Sequence, residues 1–332
     1  MILSLYCSHC LRSTHSDHKI FKCLTPLSAR LSRNLNCAYK AKVKDAKFTE
    51  IISLSIYLQD TRIALFIDES TTIKIYSTYP NVTFEFKHKS KVKICSWTQF
   101  SSGELICNQC DYCISFYSIG EKNLVETRLI FYLGQKIIND ILELQTDIVL
   151  ICSQMGNVEI WNLHPSVEVI TRLDVIRAPI SLLKIRNTNK VMVLTPNCIE
   201  VYKLSTYQKE TSIFISFTVG LYKMSQINET QLLVCSLKSV FVININSYNI
   251  EKVFYHDSQS LIETLLYNSE IIVFNIQAKS VIASLWKLDR NELKEYYLDK
   301  KINHCHVLKT KASEFIMICD DTFITYSLTD LN

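Results

Sequence analysis

Short apolar runs broken by polar turns recur along almost the whole of this 332-residue chain. The segment TDIVLICSQMGNVEIWNLHP, residues 146–165, shows the unit most clearly. Ile148 to Cys152 is a β-branched apolar run that predicts a strand. Gln154-Met155-Gly156-Asn157 carries turn chemistry, with Gly156 and Asn157 both tolerant of positive φ. Val158, Ile160 and Leu163 with Trp161 predict the returning strand, so the segment reads as a β-hairpin.

The hairpin repeats. Its copies are LFIDESTTIKIYS, ICNQCDYCISFYS, ICSQMGNVEIWNL, VLTPNCIEVYKL, VCSLKSVFVININ, VFNIQAKSVIASLWKL and ICDDTFITYSL. Near the end of the second strand they place Tyr76, Tyr117, Trp161, Tyr202, Ile243, Trp286 and Tyr326, at intervals of 41, 44, 41, 41, 43 and 40 residues. Further alternating runs precede and follow each hairpin, for example KIINDILEL before the residue-146 hairpin and VEVITRLD after it. Four strands in about 40–45 residues is the period of a propeller blade. The expected fold is therefore all-β, a seven-bladed β-propeller occupying residues 34–332, behind an N-terminal extension over residues 1–33. Blade seven has three strands in sequence before Asn332. The strand expected in NLNCAYKAKVK, residues 34–44, would supply its fourth and close the ring, sealing an open sheet edge.

Composition fits one large all-β domain, with 48% hydrophobic residues. Charge is uneven. Residues 1–44 hold eight Lys/Arg and the single acid Asp17, a net +7, while the remainder balances near −3. The propeller body thus lacks the strongly basic balance of an independent nucleic-acid binder. No apolar run reaches the roughly 18–20 residues of a membrane-spanning helix. The N-terminus lacks the order of a secretory signal. Its basic, acid-poor character resembles a mitochondrial presequence, but an extension or donated strand is the preferred reading.

Four of the 13 cysteines are read as reduced core thiols of an intracellular protein. Cys107, Cys152, Cys235 and Cys319 align at the end of the first hairpin strand, where other repeats have Phe66, Leu194 and Phe274, so they are expected to pack as small core hydrophobes. Cys7, Cys10, His15, His18 and Cys23 have zinc-like ingredients but only one convincing pair. CNQCDYC, residues 107–113, has iron–sulfur-like spacing, with its thiols expected to diverge. His304 and His306 share an inner-strand face without a third ligand. No metal site is expected, since a structural zinc needs four converging ligands. None of G-x-S-x-G, G-x-x-x-x-G-K-[ST], G-x-G-x-x-G or H-E-x-x-H occurs. With five glycines in the chain, little is available for phosphate-cradling loops. No catalytic or cofactor-binding residue is assigned.

The hairpins resemble the WD-repeat family over about residues 45–330. His88 precedes the second blade's inner strand, Asp111 lies in that blade's turn, and Trp161-Asn162 stands where that family has Trp-Asp. A narrower resemblance spans about 120 residues. Ile106, Asp111 and Ile114, then Leu133-Gly134, then Leu150, Ser153, Gly156 and Trp161, then Pro179-Ile180 are similar to the middle of the non-catalytic WD-repeat subunit of tRNA (guanine-N7) methyltransferase. That resemblance implies a scaffold without chemistry of its own. Its expected partner is a protein, such as the methyltransferase's catalytic subunit, and tRNA is met only indirectly through the complex. Neither a membrane nor a small-molecule substrate is expected. The location it implies is the nucleus, or nucleus and cytoplasm. In that family the turn here reading Cys110-Asp111-Tyr112-Cys113 is charged and contacts the partner, so Asp111 and Tyr112 are partner-binding candidates, joined by Lys89, Lys91 and Lys93 as additions to a phosphate-attracting field. The alternative is a general interaction propeller of another assembly, in chromatin, ribosome assembly or trafficking. A propeller enzyme with a central-channel site is a third.

Overall fold

The computed structural model describes residues 37–42, 54–67, 71–78, 83–109, 113–131, 137–215, 220–236, 238–255, 260–267, 270–277, 280–287, 292–300, 305–310, 314–319 and 322–327. These form 28 strands. β1 is Cys37–Lys42. Sheet one holds β2 to β5 (Leu54–Tyr57, Ile63–Ile67, Thr72–Ser77, Thr83–Lys89). Sheet two holds β6 to β9 (Ile94–Gln99, Leu105–Gln109, Cys113–Ile119, Leu124–Phe131), and sheet three β10 to β13 (Ile138–Gln145, Ile148–Ser153, Val158–Asn162, Glu168–Leu173). Sheet four holds β14 to β17 (Ser181–Ile185, Lys190–Leu194, Cys198–Lys203, Lys209–Phe214), and sheet five β18 to β21 (Leu221–Gln226, Gln231–Ser236, Ser239–Asn244, Ile250–Tyr255). Sheet six holds β22 to β25 (Ser260–Tyr267, Glu270–Gln277, Ser280–Lys287, Glu292–Lys300). Each of these six is four consecutive antiparallel strands. A further sheet, sheet seven, combines β26 to β28 (Cys305–Lys309, Glu314–Cys319, Thr322–Ser327) with β1, which pairs antiparallel with β28 from Cys37↔Tyr326 to Lys42↔Thr322.

Burial peaks in the middle strands of each sheet. The second and third strands are buried on both faces, as in Ile63–Ile67 and Leu105–Gln109. They therefore read as predominantly apolar runs. Outer strands such as Thr83–Lys89 and Glu168–Leu173 are mostly exposed. Side chains that alternate on the buried strands fill the seams between neighbouring sheets. Phe66, Ile73 and Ile75 meet Leu105, Cys107 and Tyr117 between sheets one and two. Ile106 and Phe116 meet Ile151 and Trp161 at the next seam. Like clusters join sheets three to four, four to five and five to six. Phe274 and Phe315 touch between sheets six and seven, with ring centroids 4.9 Å apart. Ile63, Leu65 and Tyr76 pack on Ile316, Ile318 and Phe323 between sheets seven and one.

Polar latches tie the same seams together near the ends of the inner strands. Gln59 N–H donates to Gln99 Oε1 (2.8 Å), Ser101 N–H and Oγ to Glu143 (2.7 and 2.8 Å), and Arg186 N–H to Gln226 Oε1 (2.8 Å). Lys184 Nζ donates to the Leu144 carbonyl. Gln99, Glu143, Lys184 and Gln226 occupy one register position, opposite Leu105, Val149, Val191 and Leu232.

The aromatic period expected from the sequence is a true structural position. Tyr76, Tyr117, Trp161, Tyr202, Ile243, Trp286 and Tyr326 each pair with the equivalent second-strand residue, Ile63, Leu105, Val149, Val191, Leu232, Ile271 and Phe315. The cysteine alignment needs correction. Counted from those pairs, Cys152 stands three residues on from Val149, but Cys107 only two from Leu105 and Cys319 four from Phe315. The shared position holds Phe66, Asn108, Cys152, Leu194, Cys235, Phe274 and Ile318. A one-residue offset reverses the face, so Cys107 packs toward the preceding sheet and Cys152 toward the following one. Cys107, Cys152 and Cys235 are nonetheless all buried free thiols.

The hairpin at residues 154–157 forms as expected: Ser153 N–H donates to the Asn157 carbonyl (2.9 Å) and Gly156 N–H to the Ser153 carbonyl (3.1 Å). Gly156 takes φ 92°, and Asn157 is not among the described residues with positive φ.

Candidate protein-interaction face

Antiparallel alternation sends the connections between sheets, and the turns between second and third strands, to one end of the molecule. That upper end carries the sequence-nominated lysines. Lys89 closes β5, and Lys91 and Lys93 lie in the connection to β6; all three are exposed. Ser90 is buried between them, its Oγ donating to the Val92 carbonyl (2.7 Å), which fixes the loop that displays the lysines. Asp111 and Tyr112 lie outside the described residues, so only the lysine half of the nominated set is placed.

Of CNQCDYC, Cys107 and Cys113 are buried, and strand alternation puts them on one side of sheet two rather than on diverging faces. Cys110 lies outside the described residues, as do His304 and the cysteines and histidines of residues 1–33. His306 Nδ1 lies 3.5 Å from Ser55 Oγ, joining sheets seven and one. Among the described residues no three His, Cys, Asp or Glu side chains are grouped to hold a metal ion. No described helix is long and apolar enough to cross a membrane.

Polar networks stand behind the third-strand aromatics. Trp161 Nε1 donates to Glu159 Oε2 (3.1 Å), and Glu159 pairs with Arg172 (2.8 Å) of the outer strand. Tyr202 donates to Glu200 Oε2 (2.6 Å), and the fully buried Glu200 also pairs with Lys209 (3.1 Å). Burial, then Glu200, pushes the Tyr202 hydroxyl pKa far up, so it stays a donor. Around Tyr117 the pattern differs: Ser115 Oγ donates to Glu126 (2.8 Å), and His88 meets the Tyr117 ring edge-on at 5.2 Å. Burial holds the His88 pKa below its ordinary value despite the nearby Glu126 charge. The sequence signal for these networks was Glu-x-Trp or Glu-x-Tyr facing a basic outer strand, which aromatic periodicity alone did not reveal.

A carboxylate that the sequence reading missed sits in the seam between sheets three and four. Asp140 Oδ2 accepts from Leu182 N–H (2.8 Å) and Ser181 Oγ (3.1 Å), and Oδ1 from Ile141 N–H (2.9 Å). Burial raises its pKa to about 6 against the three hydrogen bonds that pull it down. The bonds to Ser181 and Leu182 tie β10 to β14 across the seam.

Among solved structures the chain is similar to the WD40 β-propeller domain of Doa1, with TM-score 0.65 and 11% identity over 89% of this chain and 97% of that one. The fold is an all-β, WD40-type propeller. No family model matches the chain, and no curated protein matches it.

Proposed function

We propose that this propeller is a non-catalytic scaffold that binds other proteins. The observation that carries the reading is the WD40-type fold itself, matched over 89% of the chain. Its core sheets spend both faces on each other, which leaves end loops and outer strands for partners. Fold alone does not choose a partner. The residues similar to the tRNA (guanine-N7) methyltransferase subunit, Leu150, Ser153, Gly156 and Trp161 with Pro179-Ile180, make a methyltransferase catalytic subunit the specific partner put forward, with tRNA reached only through the complex and the nucleus as the site of action. The alternative is service in a chromatin, ribosome-assembly or trafficking complex.

The test is a tagged pull-down from native cells, read by mass spectrometry. Stoichiometric recovery of a Rossmann-type RNA methyltransferase, followed by tRNA methylation that depends on this chain, supports the specific reading. Recovery of a different assembly without a methyltransferase discards it and leaves the general scaffold.

In the same reading the further sheet is the seventh blade, and β1 is the strand that seals the ring. Its pairing with β28 and the apolar seam between sheets seven and one support this. Deleting residues 1–44 should then lower the midpoint of thermal unfolding by about 5 °C or more. A truncated chain melting at the full-length temperature refutes the closure.

A further inference from the structure

The upper end differs from the lower in two independent ways. Large apolar side chains stand exposed along it from sheet two to sheet five: Phe131 (65%), Ile137 (37%), Met155 (72%), Ile176 (68%), Phe214 (66%) and Tyr255 (46%). They end outer strands, begin an inner strand or occupy turns, so they arise from separate chain segments converging on one end. Of the remaining exposed large apolars, Phe84, Val125, Val167 and Val169 belong to the lower part of the outer strands or to a lower connection, and Leu129 and Ile170 stand along the outer strands themselves. Scattered exposed apolars are ordinary, but a run of them across four neighbouring sheets marks an interaction surface.

Charge also differs. The described exposed charges of the upper end are Lys89, Lys91, Lys93, Arg177 and Lys238 against the single acid Asp174. At the lower end charges neutralise one another: Arg62 pairs with Asp60 (2.5 Å) and Glu85 (3.3 Å), and Lys190 with Glu210 (2.8 Å). Lys93 holds the place before β6 that Ile137 holds before β10, one sheet along. The lysine strip thus borders the apolar run.

We infer that the upper end of sheets two to five docks a protein segment whose apolar side chains cover Ile137, Met155 and Ile176 and whose acidic residues face Lys89, Lys91 and Lys93. This rests on the scaffold reading and specifies which surface it uses. A nucleic acid would satisfy the lysines but leave Ile137, Met155 and Ile176 in water, whereas an acidic, apolar segment satisfies both. Burying that aliphatic surface supplies affinity, and the lysines supply orientation and association rate.

The experiment places the photo-crosslinker p-benzoylphenylalanine at Met155, at Ile176 or, on the lower connection, at Val167, in the full chain expressed in its native cells. The expected result is adducts from the first two positions to one protein, mapped to a segment rich in both acidic and apolar residues. Lys89→Glu, Lys91→Glu and Lys93→Glu together should cut their yield at least about fivefold, with the unfolding midpoint unchanged. Adducts only from Val167 would overturn the surface while leaving the scaffold standing. Adducts to RNA, or to a segment without acids, would overturn the assigned partner chemistry. No protein adduct from any position would sink the scaffold reading and this inference with it.

Discussion

Asp140→Asn tests whether a half-buried carboxylate in the seam of sheets three and four weakens the fold at neutral pH. The native carboxyl has its pKa raised to about 6 from an ordinary 3.8, with burial the first cause. A group whose folded pKa lies above its unfolded value holds its proton more tightly in the folded state. Stability is therefore highest below the unfolded value, falls as pH rises through the window from about 4 to about 6, and is flat above it. The shift of about two units corresponds to about 3 kcal/mol lost across that window. Asparagine removes the charge and keeps an oxygen for Leu182 N–H and Ser181 Oγ. It turns an amide toward Ile141 N–H, at a cost of about 1 kcal/mol. The variant should thus be more stable than the parent by about 1–2 kcal/mol at pH 7.5 and less stable, by about 1 kcal/mol, at pH 4. The assay is urea unfolding of both proteins from pH 4 to pH 8, taking the difference between them so that all other titrating groups cancel. A parent-minus-variant difference that is flat through pH 4–6, or a variant less stable at pH 7.5, would refute the reasoning.

Tyr202→Phe strips the buried Glu200 of its phenol donor, leaving Lys209 as its remaining charged partner; it should cost about 1.5–3 kcal/mol, read as a drop of about 2–4 °C in the unfolding midpoint. Gly156→Ala places a side chain at φ 92° where nothing lies within 4 Å of the new carbon, so the loss is purely conformational, about 1–2 kcal/mol by urea titration. Cys107, Cys113, Cys152, Cys198 and Cys235 are buried, and burial pushes the Cys107 and Cys152 thiols up. They should be silent to a chromogenic disulfide reagent in the native protein and react on unfolding; rapid native reaction of any of them would contradict their placement.

The second and third strands were legible because burial on both faces leaves them predominantly apolar, and because the residue closing the third strand, Tyr76 through Tyr326, recurs at one register position. The same rule misled at the cysteines. Matching residue type rather than register slid Cys107 and Cys319 by one place, and in a strand one place is the opposite face. Lys89, Lys91 and Lys93 were nominated by charge, and all three are exposed. Ile137, Met155 and Ile176 were not nominated, because a single exposed aliphatic in a turn is unremarkable in sequence, and it is the convergence of several segments at one end that gives them meaning. Asp140 was invisible for a related reason: Ser181 and Leu182 lie about one repeat away, and two of its three donors are backbone N–H groups that any residue could supply.

Bonds to backbone also allow a WD40-type fold to form with few of the residues of the WD repeat. Gln59 to Gln99, Ser101 to Glu143 and Arg186 to Gln226 are bonds across 40 to 42 residues, one repeat each, and in every case the group held includes a backbone N–H. In the remaining seam of this set the polarity is reversed, with Lys184 donating to a backbone carbonyl. A latch that grips backbone accepts Gln, Glu or Lys, provided that the side chain reaches. Glu143→Gln should therefore leave stability within about 0.5 kcal/mol of the parent. Glu143→Leu, which releases both Ser101 N–H and Oγ to solvent, should cost about 1 kcal/mol, small because the site is exposed. If Glu143→Gln proved as costly as Glu143→Leu, the charge and not the backbone grip would be the stabilising element. The tolerance of these seams for different side chains would then need another cause.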